Sequence, residues 1–395
     1  MTELREGVPE EVGMDPKRVR RARDMLHAHV DAGQTPTLVA VVARRGVIVL
    51  AEALGSRGPG LEPVALDSVF PIASVTKSMT ATLVMILVED GEIGLNRHAY
   101  RYLPELTSAD NRDVLVHHLL THTSGLDEMA VAEHINKRLL DVELTSPPDG
   151  VHPCVNAQLA ASWDAARATP AGRAWSYTDH GYVLLGEIVR RVSGDSIDTF
   201  ARRRLFEPLG MRDTGYVLRE DLNERLVHRA PDIPFGEVNP DSVWPQFEDP
   251  RFATYDAGDG SVKATAPDLA AFAQMFLNRG EYAGSRLLSR AGVAAMTRNQ
   301  TPGLRVGSDA GAPEARYGYG WFVDGTDRWE YFHGSLQPVG TLSHPGAGGT
   351  CVFVDPQNEL LGVVLEVVTT RTATQSQPSG IYERFQNVVY SSLED

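Results

Sequence analysis

The sequence predicts an α+β protein in which an antiparallel β-sheet, flanked by N- and C-terminal helices, carries an inserted, mainly helical subdomain. Two β-branched runs, 37–42 and 47–54, predict a hairpin near the N-terminus. Strand-like runs return only in the last quarter of the chain, and the pattern between them is helical. Because chain termini usually lie close together, we expect the strands of both ends to complete one sheet. The predicted single domain divides into a sheet subdomain, 1–70 and 316–395, and a helical subdomain, 71–315.

The remaining elements follow from periodicity and from capping residues. The first helix begins at Asp15-Pro16 and ends at Gly33. Further helices are predicted at 113–120, 156–168, 180–192, 196–208, 267–277, 289–296 and about 380–393. C-terminal strands are predicted at 319–323, 329–333, 341–344, 350–354 and 360–368. The long segments 126–155 and 220–257 lack periodicity, and we interpret them as loops that form lids or pocket walls.

Composition narrows the class of protein. The chain has 395 residues, 42% of them hydrophobic, which is enough to bury a full core. Its formal net charge is −15 and it has no basic block, so neither nucleic acid nor an anionic membrane is an expected partner. The two cysteines, Cys154 and Cys351, are expected to be reduced thiols. Residues 1–7 lack the apolar core of a signal peptide, and no stretch approaches the roughly 20 apolar residues of a membrane span, so we expect a cytoplasmic protein.

One stretch, Ser74-Val75-Thr76-Lys77, has the features of a catalytic centre. It precedes an apolar run, 83–88, that predicts a buried helix ending at Gly91. Lys77 then lies on the same helix face as Ser74, which brings an amine within reach of a hydroxyl. The positive helix end and the apolar neighbours are expected to lower the pKa of Lys77 and make it a base near neutral pH. Because Ser-x-x-Lys is common by chance, its significance depends on partners elsewhere in the chain.

Two later stretches supply candidate partners. Tyr177 lies in the turn before the helix predicted at 180–192, where its phenol can shuttle a proton between Ser74 and a leaving group if Lys77 or another cation lowers its pKa. The stretch 343–350 is rich in glycine and resembles a phosphate-binding loop. A β-branched run follows it, however, where a nucleotide-binding loop needs a helix. We therefore interpret it as a sheet-edge strand whose backbone approaches a ligand closely.

These stretches together resemble a known family. Ser74-Val75-Thr76-Lys77, Tyr177-Thr178-Asp179 and His344-Pro345-Gly346 occur in the order of the three motifs of serine β-lactamases and penicillin-binding proteins. The chain is most similar to the class C β-lactamase-like family, which includes esterases, D-aminopeptidases and acyltransferases. Supporting stretches are 119–126, 181–186 and 317–321, and the likeness extends from about residue 10 to 390.

The resemblance implies a penicillin-binding-protein-like fold and a role for each motif residue. Ser74 would be the acylated nucleophile, and Lys77 and Tyr177 its proton-transfer partners. The backbone N–H groups of Ser74 and Ala347 would form the oxyanion hole. Which of Lys77 and Tyr177 is the general base stays open, and we favour a coupled pair that shares one proton.

Two positions depart from the β-lactamase pattern. Asp179 stands where β-lactamases have Asn, and His344 stands where they have the Lys that helps to bind the substrate carboxylate. A mostly neutral imidazole and an added carboxylate lower the attraction for an anionic substrate, so a neutral ester is favoured. Substrate contacts are expected from Asp179, His344, Gly346, Trp321 and Trp244, the last within an aromatic pocket wall with Phe247, Phe252 and Tyr255.

The predicted function is that of a serine hydrolase that cleaves carboxylic esters of small molecules through an acyl-enzyme on Ser74. An acyltransferase would use the same intermediate, and a weak β-lactamase or D-amino-acid peptidase is a further alternative. A non-catalytic homologue is disfavoured because Ser74, Lys77 and Tyr177 are all intact. No cofactor is predicted. His117, His118 and His122 lack the spacing of metal ligands, and we interpret them as capping or core residues rather than a metal site.

Overall fold

A seven-stranded sheet forms the centre of the molecule. The computed structural model describes residues 3–108, 111–140, 147–148, 150–229, 238–306, 311–326, 333–368 and 381–395. The strands in chain order are β1 Arg5–Glu6, β2 Thr37–Arg44, β3 Val47–Gly55, β4 Phe70–Pro71, β5 Lys263–Ala264, β6 Glu281–Tyr282, β7 Ser285–Arg286, β8 Phe322–Val323, β9 Leu342–Gly346, β10 Thr350–Asp355 and β11 Leu360–Glu366. The large sheet has the order β1-β3-β2-β11-β10-β9-β8 and is antiparallel except for the pair β1–β3. The N-terminal hairpin and the C-terminal strands therefore share one sheet, which confirms the predicted α+β class.

Helices cover both faces of this sheet. The described α-helices, in chain order, are α1 Pro16–Asp31, α2 Thr76–Glu89, α3 Val116–Leu120, α4 Glu128–Arg138, α5 Pro153–Ser162, α6 Asp179–Ser193, α7 Ile197–Ala201, α8 Ala266–Leu277, α9 Arg290–Thr297 and α10 Tyr382–Tyr390. Along β2, Val39 and Val41 face the core that includes α2, α6 and α8. Leu38 and Ala40 face the opposite core, formed with α1 and α10. Because β2 is buried on both faces, its sequence is continuously apolar rather than alternating.

The helical part packs tightly against the sheet. α2 is buried along almost its whole length and contacts α6, which explains its continuous apolar run. α8 packs directly on β2, β10 and β11, although it lies within the predicted helical subdomain 71–315. The proposed boundary between the two subdomains stays a prediction.

Some predicted elements differ from the structure. The segment 126–155 contains α4, which the sequence did not suggest because the helix buries only Val131 and Ile135 and so shows no clear apolar periodicity. The predicted strand 319–323 is reduced to Phe322–Val323, since Gly318 to Trp321 form a tight turn. The predicted strand 329–333 lies, apart from its last residue, outside the described residues.

Two further sequence expectations concern thiols and membranes. Cys154 and Cys351 are both free and buried, as expected. Among the described residues, no helix is both long and apolar enough to cross a lipid bilayer.

Candidate active site

Ser74 lies in a sharp turn that opens the buried helix α2. A short 3-10 turn, Ala73–Val75, leads directly into α2, and Ser74 is half-buried there. Ala73 has φ +45°, the left-handed region that a residue with a Cβ occupies at a cost of about 1–3 kcal/mol. Strain of this kind persists only where the surrounding structure holds it, and the turn is held by the hydrogen bond from the Ile72 N–H to the Val262 carbonyl. The turn presents the Ser74 hydroxyl at the positive end of α2.

Lys77 is completely buried and touches three acceptors. Its Nζ is 3.1 Å from Ser74 Oγ, 2.9 Å from the Asp259 carbonyl oxygen and 2.6 Å from Asp179 Oδ1. These three contacts match the three N–H donors of an ammonium group. Burial alone would lower the pKa of Lys77, but the carboxylate of Asp179 and the nearby Tyr177 and Asp259 raise it above its ordinary value. The prediction of a lowered lysine pKa is therefore wrong, because the sequence did not reveal that Asp179 contacts this amine.

Tyr177 stands beside Ser74 and Lys77. Lys77 Nζ lies 5.0 Å from the centroid of the Tyr177 ring. Burial raises the pKa of Tyr177 to about 12, although the charge of Lys77 and a hydrogen bond to Ser74 oppose this. The expected lowering of this pKa is therefore wrong, because burial outweighs the charge of Lys77. The phenol is protonated at neutral pH and can donate to a leaving oxygen. The structure brings Ser74, Lys77 and Tyr177 together, as the sequence predicted for them.

The ring of His122 stacks on the ring of Tyr177. The two rings are stacked with centroids 4.3 Å apart, and Phe322 lies on Tyr177 at 6.1 Å. His122 Nδ1 accepts the Thr178 N–H at 3.2 Å, so its proton is on Nε2. Burial and the charge of Lys77 hold the pKa of His122 well below its ordinary value, so the imidazole is neutral. The sequence suggested a capping or core residue here but not this contact with Tyr177.

The glycine of the third motif brings the sheet against the nucleophile turn. Gly346 lies so close to Ile72 that an added Cβ would be 2.3 Å from the Ile72 carbonyl oxygen. Thr350 Oγ1 donates to the same carbonyl at 3.0 Å and fixes the approach. Gly346 therefore contacts the turn that carries Ser74, and its expected contact with substrate stays a prediction. Ala347, the next residue, is exposed, and its role as an oxyanion donor stays a prediction.

His344 does not reach the cleft surface, which contradicts its expected substrate contact. It is fully buried, its Nδ1–H donates to the Pro345 carbonyl at 2.8 Å, and its Nε2 accepts from the Tyr317 hydroxyl at 3.1 Å. Burial, followed by the charge of Lys77, lowers the pKa of His344 to about 3. It is a neutral residue behind Tyr177, with ring centroids 6.5 Å apart. The site therefore has no second cation at this position, as expected from the replacement of Lys by His.

The tryptophans have different environments. Trp321 is fully buried and packs on Phe272 and Phe276, with ring centroids 6.0 and 5.1 Å away, so it is a core residue and not a substrate contact. Trp244 is half-buried against the core, and its place in the substrate site stays a prediction.

A cavity of about 350 Å³ lies beside the 346–349 loop. It is lined by Phe70, Pro71, Leu226, Val227, His228, Arg229, Val238, Phe247, Glu248, Gly348, Glu366 and Val367.

Two carboxylates make the surroundings of Lys77 acidic. Asp179, the first residue of α6, keeps 44% of its side chain exposed while it contacts Lys77. Asp259 lies close by, and burial, followed by the charge of Asp179, raises its pKa to about 7. Asp259 was not among the residues predicted from the sequence, where its local signal is its position between Gly258 and Gly260 in an acidic stretch.

Comparisons with known proteins agree with this geometry. Residues 22–386 match the family model described as Beta-lactamase. The chain is 31% identical to Penicillin-binding protein 4 of Amycolatopsis lactamdurans, over 79% of this chain and 81% of that protein. It is also 31% identical to Esterase EstB of Burkholderia gladioli, over 72% of this chain and 82% of that protein. Among solved structures, EstCE1, described as a hydrolase with promiscuous acyltransferase activity, superposes with a TM-score of 0.72 at 22% identity, covering 96% of this chain and 98% of EstCE1.

The close approach of Gly346 to Ile72 yields a first prediction. In Gly346→Ala the new Cβ would meet Thr350 Oγ1 at 2.1 Å and the Ile72 carbonyl at 2.3 Å, which must push the strand away from the nucleophile turn. Loss of one oxyanion donor typically costs about 10²–10³ in rate, so we expect a fluorophosphonate probe to label Ser74 at least about tenfold more slowly. Overpacking should also lower the free energy of unfolding by about 1–3 kcal/mol.

The matched control is Gly311→Ala, at an exposed glycine whose added Cβ meets nothing within 4 Å. It should leave the labelling rate and the melting temperature unchanged. Normal labelling of Ser74 in Gly346→Ala would mean that the approach of β9 does not shape the site.

Proposed function

Because the chain belongs to the Beta-lactamase family, we propose that it hydrolyses carboxylic esters of small molecules through an acyl-enzyme on Ser74. The observation that carries this proposal is the contact of Lys77 Nζ with Ser74 Oγ at 3.1 Å, next to the phenol of Tyr177. A serine hydroxyl needs such proton-handling groups within hydrogen-bond distance to act as a nucleophile. The similarity to Esterase EstB supports an ester as the substrate.

The first step requires a place for the serine proton. Lys77 at rest is an ammonium whose three N–H groups all have acceptors, so it accepts a proton only when it releases one. Of its three partners, only Asp179 presents a carboxylate oxygen to Nζ, at 2.6 Å. As Ser74 Oγ bonds to the ester carbon, its proton therefore passes to Nζ while an Nζ proton passes to Asp179.

Release of the alcohol reverses this transfer. The bond from the carbonyl carbon to the leaving oxygen breaks, and that oxygen takes the proton of Tyr177. Tyr177 regains a proton from Lys77, which takes back its own from Asp179. Water then attacks the acyl-enzyme by the same route, and the oxyanion of each tetrahedral intermediate is held by the N–H groups of Ser74 and Ala347.

The charges around Ser74 favour a neutral substrate. The positive charge of Lys77 is offset by Asp179, and Asp259 adds negative charge as the pH rises through about 7. His344 is neutral, so this position supplies no second cation for the carboxylate of a β-lactam or a peptide C-terminus. A neutral ester carries no charge, so the negative charges of Asp179 and Asp259 do not repel it.

Acyl transfer to an alcohol would use the same intermediate, with the alcohol in place of water. The description of EstCE1 as a hydrolase with promiscuous acyltransferase activity supports this as a second activity. We also propose that the protein acts in the cytoplasm, which the two buried free thiols support.

The proposed function is tested with short-chain p-nitrophenyl esters. The wild type should hydrolyse them, and Ser74→Ala should lower kcat by several orders of magnitude, about 10⁴-fold or more, because the nucleophile is lost. Release of p-nitrophenolate is measured, with circular dichroism to check the fold. Wild-type turnover by Ser74→Ala would show that another group performs the reaction.

Asp179→Asn tests both the proton route and the charge argument. The variant loses the proton acceptor, so kcat for p-nitrophenyl butyrate should fall by about 10²-fold or more. It also removes a negative charge next to Lys77, which is worth about 1–4 kcal/mol to an anionic substrate. The ratio of kcat/KM for nitrocefin to that for the ester should therefore rise, by about fivefold to several-hundredfold, and the gain should shrink as salt screens the charges.

The control for this variant is Asp24→Asn, which removes the same charge from the exposed side of α1 across the sheet. Asp24→Asn should change neither kcat for the ester nor the ratio of kcat/KM for nitrocefin to that for the ester. Unchanged ester turnover in Asp179→Asn would contradict the proton route, and an unchanged ratio would contradict the charge argument. His344→Lys is a poorer test, because it would bury an ammonium among aromatic rings instead of placing it in the cleft.

A further inference from the structure

Glu128, the first residue of α4, contacts the turn that carries the second motif. Its Oε2 accepts the hydroxyl of Thr178 at 2.8 Å and the N–H of Asp179 at 2.8 Å. The N–H of His180 lies 3.4 Å from the same oxygen. All three donors belong to the start of α6, about 50 residues further along the chain.

The Glu128 carboxylate accepts hydrogen bonds that the N-cap side chain of a helix usually accepts. The first N–H groups of a helix lack partners within the helix, and Ser, Thr, Asp or Asn at the N-cap normally accepts one of them. Thr178 is the N-cap of α6, yet its side chain makes no capping bond and donates to Glu128 instead. The end of α6 is therefore held by a residue from another helix.

The residues held in this way are those of the proton route. Tyr177 immediately precedes Thr178, and Asp179 contacts Lys77 at 2.6 Å through its side chain while its N–H donates to Glu128. A change in the direction of this turn would move the phenol and the carboxylate together, away from Ser74 and Lys77.

We propose that Glu128 is a positioning residue that fixes Tyr177 and Asp179 against Lys77 through its hydrogen bonds to the start of α6. This inference rests on the proposed function only in assigning the chemistry to Ser74, Lys77 and Tyr177. Glu128 acts through these groups and does not touch the reacting atoms.

The hydrogen bonds, rather than the charge of Glu128, perform this role. Burial, followed by the negative charge of Asp179, raises the pKa of Glu128, so a second carboxylate at this place is electrostatically unfavourable. Its position is maintained by the three donors and by the positive end of α6. A neutral amide oxygen at the same place has two lone pairs and can accept the two short bonds, from the Thr178 hydroxyl and the Asp179 N–H.

The experiment compares Glu128→Ala, Glu128→Gln and Asp127→Ala. We expect Glu128→Ala to lower kcat for p-nitrophenyl butyrate by about 10–100-fold with little change in KM, because misplaced proton-transfer groups slow the chemical step. Glu128→Gln should restore kcat to within about threefold of wild type, since its amide oxygen replaces the acceptor. Asp127→Ala is the matched control: Asp127 caps α4 through the Ala130 N–H at 3.0 Å, so its loss weakens the same helix without touching α6.

A second measurement separates this inference from the proposed function. The rate at which a fluorophosphonate labels Ser74 reports the activation of the serine whatever the natural substrate. It should fall in Glu128→Ala and recover in Glu128→Gln. If the wild type labels readily but hydrolyses no ester, the proposed function fails and the role of Glu128 is still tested.

Thr178→Val provides the variant least expected to unfold the protein, because it removes only the hydroxyl that donates to Glu128. It should slow labelling on its own but add nothing in the Glu128→Ala background, since both changes remove the same bond. The proposal would be overturned if Glu128→Ala and Asp127→Ala lost the same amount of activity and both losses followed the fall in melting temperature. Glu128→Gln as slow as Glu128→Ala, or fully additive effects of Thr178→Val and Glu128→Ala, would overturn it as well.

Discussion

The buried ammonium of Lys77 is the constraint on which the rest of the site depends. A fully buried amine is costly unless it is paired and its donors are satisfied, and here its three acceptors come from three separate parts of the chain. The nucleophile turn supplies Ser74, the start of α6 supplies Asp179, and the glycine-rich stretch near 259 supplies a carbonyl. The fold must bring these three segments together around one point, so the packing of these segments sets the surroundings of Ser74.

On the other side of Lys77, glycines allow the sheet to pack closely against the nucleophile turn and α2. Gly346 allows β9 to approach the Ile72 carbonyl, and Gly320, with φ +78°, allows the turn before β8 to rest on the first turn of α2. An added Cβ at Gly320 would lie 2.9 Å from the Lys77 carbonyl oxygen, so a larger residue would displace the helix that carries the site. Gly346 of the third motif is therefore explained by packing against the nucleophile turn rather than by a bound phosphate.

Strand patterning predicted the sheet and helical spacing predicted the pairing of Ser74 with Lys77, whereas the approach of Tyr177 was implied by the resemblance to the family. The sequence did not predict the raised pKa of Lys77, which depends on Asp179, a residue about a hundred positions away. His344 and Trp321 were expected to contact substrate, but motif position does not reveal side-chain burial, and both are fully buried. Helix α4 and the contacts of Glu128 were missed because a helix with two buried apolar residues resembles a polar loop.

The central claim is that Ser74 is the group that becomes acylated. The most direct measurement uses a p-nitrophenyl alkylphosphonate, which mimics the tetrahedral intermediate and stays attached to the nucleophile. The wild type should release one equivalent of p-nitrophenolate per chain, and mass spectrometry of the digested protein should locate the phosphonyl group on the peptide that contains Ser74. A phosphonyl group on any other residue, with Ser74 unmodified, would contradict the account.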